Sequence, residues 1–287
     1  MRENKIGRTL DPRRIRALAL DLDGTCLRSD LSLGDRTVRA LTTLADRGFH
    51  LILCTGRAPE AAEKYRAALG IRGPQVYFNG AVVADMPGER ILALTLQDRE
   101  SAAFCVELAR KTGLYVQIFF PGIPQNPRRR LMAERRGPEW ERYLRHTGIP
   151  AEIGDLQEVL ANPALPGCVK TMFIGDGESQ NLVRPALEER YGGGLYIADS
   201  LKGFLEIMSP QVSKGRGLQT ALAARSLDPS QVIAFGDEET DLPLFAAVSY
   251  AAAPANAKDP VRRAADQVIG PHDEDPVAAF VERYFLK

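Results

Sequence analysis

Ala17-Leu18-Ala19-Leu20-Asp21-Leu22-Asp23-Gly24-Thr25 is the stretch on which the fold turns. Its four apolar residues form an unbroken run, the pattern of a strand buried on both faces of a parallel sheet. The run empties into two carboxylates, Asp21 and Asp23, and Gly24 lets the chain turn sharply behind them. Two close carboxylates repel, and one would hold its proton unless a cation stood nearby. Magnesium suits hard oxygen ligands and keeps positions open for a phosphate oxygen. A carboxylate held there can also attack phosphorus and form an aspartyl-phosphate. The competing reading is a strand end followed by an ordinary Asp-Gly turn.

Working outward, three segments repeat the theme. Leu51-Ile52-Leu53-Cys54 runs into Thr55-Gly56-Arg57. Thr55 and the backbone N–H groups after it either hold a phosphate or cap a helix over residues 59–69. Val212-Ser213-Lys214-Gly215 opens a helix continued by Leu218, Ala221 and Leu222. Ser213 reads as its cap, while Lys214 opposes the helix dipole and so suggests an anion nearby; a solvated lysine is the plainer alternative. Val232-Ile233-Ala234-Phe235 empties into Gly236-Asp237-Glu238-Glu239-Thr240-Asp241. These acids make either a cation site or the acidic cap of a helix beginning near Leu242-Pro243.

In that order the motifs resemble the haloacid dehalogenase superfamily of phosphatases, in its Cof-type branch, which carries a large cap between the second and third motifs. Phe78-Asn79-Gly80-Ala81, Leu205-Glu206-Ile207, and Asn256-Ala257 with Val261 and Ala265-Asp266 extend the resemblance over residues 16–285. Ordered motifs at strand ends are far more specific than any one of them. The resemblance implies a magnesium-dependent phosphomonoesterase acting on a small phosphorylated metabolite, a sugar phosphate or a phosphorylated cofactor. It makes Asp21 the nucleophile and Asp23 the acid and base. Asp21, the carbonyl of Asp23, and Asp237 would hold Mg²⁺. Thr55, Gly56, Lys214 and Thr240 would contact the phosphate, with Asp241 and Asn79 in support. Thr240 departs from the family, which usually has Asn there. A phosphomutase of the same superfamily, or a phosphate-binding regulatory protein without turnover, remains open.

The alternation of strands and helices over residues 16–84 and again at the end predicts an α/β fold, a doubly wound, Rossmann-like parallel sheet. Val38, Leu41, Leu44 and Ala45 mark one helical face, and Val76-Tyr77-Phe78 reads as a third strand. Sites in such sheets lie at the carboxyl ends of strands, where all the motif acids stand. Residues 85–208 break the alternation and read as an inserted α+β cap, flanked by core segments 16–84 and 209–287. The cap pattern includes strands over 91–96, 114–120, 169–174 and 204–207 and a helix over 101–111. It is expected to supply the substrate's specific contacts. Residues 1–15 read as a flexible extension, polar and basic without the apolar centre of a secretory signal. Arg128-Arg129-Arg130 with Arg135-Arg136 forms a basic cluster, more in keeping with a solvated face than an anion site. Trp140 and Tyr143 read as cap core.

The 37 Lys and Arg balance the 37 Asp and Glu of this 287-residue chain, so no net field recruits nucleic acid or a membrane surface. No apolar run is long enough to span a bilayer. Cys26, Cys54, Cys105 and Cys168 form no Cys-x-x-Cys pair and read as free thiols in a reducing cytoplasm. Cys26 and Cys54 lie beside motifs, where oxidation would disturb activity. None of the three histidines falls in a motif, which disfavours zinc or a histidine-activated nucleophile. No obligate protein partner is implied.

Overall fold

A computed structural model describes residues 9–121, 131–177, 179–201 and 203–287. The chain divides into two compact units, one of residues up to Ala93 together with Ser213–Lys287, the other Leu94–Val212. In chain order the first unit begins with β1 (Ala17–Leu20), α1 (Asp35–Asp46), β2 (His50–Leu53), α2 (Pro59–Ala68), β3 (Gly73–Tyr77), β4 (Val82–Met86) and β5 (Arg90–Leu94). The second unit follows with α3 (Arg99–Thr112), β6 (Tyr115–Phe119), β7 (Leu131–Ala133), α4 (Pro138–Thr147), β8 (Glu152–Ile153), α5 (Leu156–Ala161), β9 (Lys170–Ile174), α6 (Arg184–Tyr191), β10 (Tyr196–Leu201) and β11 (Phe204–Met208). The chain then returns to the first unit through α7 (Lys214–Ala223), β12 (Val232–Phe235), α8 (Leu242–Ala246), β13 (Tyr250–Pro254), α9 (Asp259–Ala264), β14 (Gln267–Ile269) and α10 (Pro276–Phe285).

The first unit is built on a five-stranded parallel sheet in the order β14-β13-β12-β1-β2. Ala17, Ala19, Ala234 and Ala251 line one face, and these small side chains let Leu218 and Leu222 of α7 and Phe245 of α8 pack close. On the alternate face Phe235 meets Phe280 of α10 edge to face at 5.2 Å. Helices therefore cover both faces, as the unbroken apolar strands require. Leu20 is in register with Phe235 on one side and Leu53 on the other. The residues that follow, Asp21, Gly236-Asp237 and Cys54-Thr55, consequently leave the sheet along one edge. Between β1 and β12 the strand order reverses direction, the topological switch point of such sheets.

The third strand differs from the sequence expectation. Only Val76 bridges to Cys54 in parallel; β3 otherwise pairs antiparallel with β4, and β5 completes a separate three-stranded sheet. Phe78, Asn79 and Gly80 carry φ of 49°, 55° and 103°, and these left-handed residues reverse the chain at once. A Cβ at Gly80 would lie 2.2 Å from the carbonyl oxygen of Ser213, so only glycine lets this loop abut the first turn of α7. The strand expected over residues 91–96 forms as β5 and joins that hairpin.

The second unit holds a six-stranded sheet, β10-β11-β9-β6-β7-β8, antiparallel except between β7 and β8. Cys105 and Leu108 of α3, Leu160 of α5 and Leu187 of α6 pack on its Val116, Ile118, Phe173 and Leu205 side. Tyr143 of α4 meets Phe119 and Phe204 and is core as expected, whereas Trp140 is half-buried, its indole N–H donating to Ala151 O at 3.2 Å. Arg135 and Arg136 stack on Tyr115 and Trp140. Arg128-Arg129-Arg130 and residues 1–8 lie outside the described residues. All four cysteines are buried and free, and burial raises each thiol's pKa, so Cys26 and Cys54 are poor targets for oxidation in the folded chain. No helix among the described residues is long and apolar enough to cross a membrane.

Candidate active site

The site residues all belong to the first unit. Asp21 N donates to Phe235 O at 3.1 Å, which extends the β1–β12 ladder one residue past the sheet. The chain then swings through a wide turn closed by Leu27 N donating to Leu22 O at 2.8 Å. Gly24 has φ +69°, and a Cβ there would fall 2.2 Å from Asp237 Oδ2. Glycine is required on both counts, and it brings the first and last motifs into contact.

Lys214 stands at the centre. Its Nζ lies 2.7 Å from Asp21 Oδ1 and 2.6 Å from Asp241 Oδ1, with all three side chains buried. The solvated reading of Lys214 is therefore excluded, while Ser213 caps α7 by accepting from Arg216 N, as expected. Asp241 spends its second oxygen on the N–H groups of Asp237 and Glu238, each at 3.0 Å. It thus folds back over the acidic loop and does not cap α8. Thr25 Oγ1 donates to Asp237 Oδ1 at 2.9 Å.

Carboxylate oxygens of Asp21, Asp237 and Asp241 lie within 4.8 Å of one another. Burial pulls the Lys214 pKa down, but the charges of Asp21 and Asp241 outweigh it and hold the group protonated. Burial pushes Asp21 well up, against the opposing pull of Lys214. Burial, then the Asp241 charge, raises Asp237 to about 7. At such spacing each like-charge pair is worth about 4 kcal/mol at an effective dielectric of about 20. One ammonium among three carboxylates therefore leaves a buried negative excess that fits a divalent cation. Asp21 and Asp237 suit that role best, since among the described residues each has only Oδ1 engaged by a protein hydrogen bond.

Thr55 does not cap α2; Ala58 stands at that position. Its Oγ1 accepts from Arg57 N at 3.1 Å and its carbonyl from Asn79 N at 3.0 Å. Gly56 faces the Asn79 amide: a Cβ there would stand 3.0 Å from Asn79 Oδ1. Thr240 is half-buried in the turn between Asp237 and Asp241, and no hydrogen bond among the described residues joins its hydroxyl to the carboxylates. Sequence reasoning missed a further member, Arg57, whose Nε and Nη2 donate to Asp23 Oδ2 and Oδ1 at 2.7 and 2.6 Å. It also missed Asn256, whose amide donates to Gly24 O at 2.8 Å and steadies the loop. Both lay within quoted motifs, so the signal was present but carried no role.

The sequence model of the haloacid dehalogenase-like hydrolases matches residues 18–281. This chain belongs to that family. The hydrolase is an enzyme, a phosphatase of the Cof-type branch to which its motifs pointed. It is 28% identical to phosphoglycolate phosphatase of Methanopyrus kandleri over 92% of this chain and 94% of that protein. It is 24% identical to pyridoxal phosphate phosphatase YbhA of Escherichia coli, covering 94% and 99% of the two chains. A haloacid dehalogenase-like hydrolase from Bacteroides thetaiotaomicron superposes with a TM-score of 0.84 at 22% identity, over 94% of this chain and all of that one, and so shares the fold.

Proposed function

We propose that this hydrolase removes phosphate from a small phosphorylated metabolite, a sugar phosphate or a phosphorylated cofactor, with Mg²⁺ bound and through an aspartyl-phosphate on Asp21. The observation that carries it is the buried Asp21 carboxylate held at 2.7 Å by Lys214, beside an Asp23 that remains one-third exposed. Asp21, Asp237 and the main-chain carbonyl of Asp23 would hold the ion. When bound, it supplies positive charge beside the transferring oxygens.

The protein's own groups account for the rest. A carboxylate oxygen of Asp21 attacks phosphorus, and the ester P–O bond breaks with its electron pair leaving on the ester oxygen. A proton from the Asp23 carboxyl goes to that oxygen. Asp23, now a carboxylate, takes a proton from water; the resulting hydroxide attacks phosphorus, and the Asp21 carboxylate departs. Lys214, Thr55 and Gly56 offer donors to the phosphoryl oxygens, with Thr240 beside them and Asp241 and Asn79 in support. The acid/base role separates this reading from a phosphate-binding protein, which has no use for Asp23. Residues 85–208 serve in this reading as the inserted cap that selects the ester. The surroundings implied by the free thiols are cytoplasmic. Relatives named for phosphoglycolate and pyridoxal phosphate set the first compounds to screen. Phosphate release should require magnesium and cease with a chelator; release that persists without any divalent ion would refute the metal role. A requirement for a bisphosphate activator would favour the mutase.

A further inference from the structure

Arg57 is held on several sides beside Asp23. Its guanidinium meets the Asp23 carboxylate edge to edge through both oxygens, at 2.6 and 2.7 Å. Its Cζ lies 5.3 Å from the centre of the Tyr65 ring, and Tyr65 OH is anchored to Leu31 O at 2.9 Å. Its backbone is pinned on both sides, with N donating to Thr55 Oγ1 and O accepting from Phe78 N, both at 3.1 Å. The Arg57 side chain is 5% exposed and that of Asp23 is 32% exposed. A rigid fork thus grips a carboxylate that still faces solvent. Charge neutralisation of the buried cluster does not explain it, since Lys214 serves there.

We infer that Arg57 is a positioning residue for proton transfer: its two-pronged hold sets the plane of the Asp23 carboxylate so that one oxygen meets the ester oxygen, and later water, while the other stays bound. This rests on the phosphatase reading above. An acid must come within about 3 Å of the atom it protonates, and an unsupported Asp side chain rotates freely about two bonds. A planar fork holds both oxygens in one plane before the ester arrives and keeps one of them when the other turns to it, whereas a lysine ammonium is a point donor and fixes no plane.

The test compares two esters on the same protein preparation. p-Nitrophenyl phosphate expels a stabilised anion and needs little help from an acid; the best alkyl phosphate found by screening needs a proton. Arg57→Ala and Arg57→Lys should each lower kcat/KM for the alkyl ester by about 10²-fold and for the nitrophenyl ester by only a few-fold. The ratio of the two cancels any loss of folded protein. Asp23→Ala should show the same selectivity, and adding Arg57→Ala to it should change the ratio no further. Equal losses for both esters, a wild-type ratio in Arg57→Lys, or additive effects in the double variant would overturn the inference while leaving the phosphatase reading intact. A wild type inert towards every ester removes both.

Discussion

Asp21 and Lys214 form a buried pair at 2.7 Å, yet they sit in a cluster with more carboxylates than ammonium groups. The chemistry and the stability of this cluster therefore pull in opposite directions. In the proposed mechanism Asp21→Asn removes the phosphoryl acceptor and should lower turnover by at least about 10³-fold, since an amide is no nucleophile. The same change removes one of three clustered carboxylates that share a single ammonium. The metal-free variant should accordingly melt no lower than the wild type, because Lys214 keeps Asp241 as its partner while the repulsion between Asp21 and the other two carboxylates disappears. Phosphate release and a thermal melt in chelator measure the two effects. A variant that is active, or one that is inactive only because it has unfolded, would defeat the assignment. Asp21 and Asp237 were legible as sequence because a strand of apolar residues that ends in charge announces itself, and Lys214 because it stands in the first turn of a helix, against the dipole. Arg57 was not, because its partner lies 34 positions upstream and nothing in a Thr-Gly-Arg string points to it.

The loop after β1 shows how an element imposes its demands on a single residue. Gly24 combines a left-handed backbone with a position 2.2 Å, at Cβ distance, from Asp237 Oδ2. Gly24→Ala should cost about 1–2 kcal/mol for the backbone alone and should also displace Asp237, so magnesium affinity falls with stability. Denaturant melts and calorimetric titration with Mg²⁺ check this together; a loss of stability with unchanged affinity would show that the loop and Asp237 are not mechanically joined. The strands were legible to within a residue or two where they were apolar throughout, as at β1, β2 and β12. The hairpin of β3 and β4 was not, because Val76 and Tyr77 look the same in a parallel sheet as in a hairpin. What decides between them is the run of left-handed residues at Phe78, Asn79 and Gly80, and only Asn79-Gly80 hints at it in sequence. The short strands β7 and β8 carry too few residues for any period to show.

In the proposed metal site, protons and magnesium would compete for the Asp237 carboxylate. Burial, and then the Asp241 charge, raise the Asp237 pKa from 3.8 to about 7. The metal-free fold thus keeps a proton that the unfolded chain has released. Its contribution to stability is full below 3.8 and is lost as pH rises through about 7. Magnesium held there would bind the deprotonated form, so the rise in Tm that it produces should grow between about pH 6 and pH 8. At about one hundred times its dissociation constant the ion adds about 2.7 kcal/mol. Asp237→Ala should abolish most of that gain, and a gain that is the same at both pH values would place the ion elsewhere. At the same scale we expect substitutions within residues 94–212 to reorder kcat/KM among phosphate esters, and motif substitutions to depress all of them roughly alike; the reverse pattern would assign selectivity to the first unit. The four buried thiols carry one more consequence. Cys26 and Cys54 lie in one unit, Cys105 and Cys168 in the other, and none is disulfide-bonded. A thiol that is sealed in the native state reacts with an alkylating dye only while its surroundings are open. The chain therefore carries two built-in clocks. Peptide-resolved alkylation rates will report how often each unit breathes, without a mutation having to be introduced.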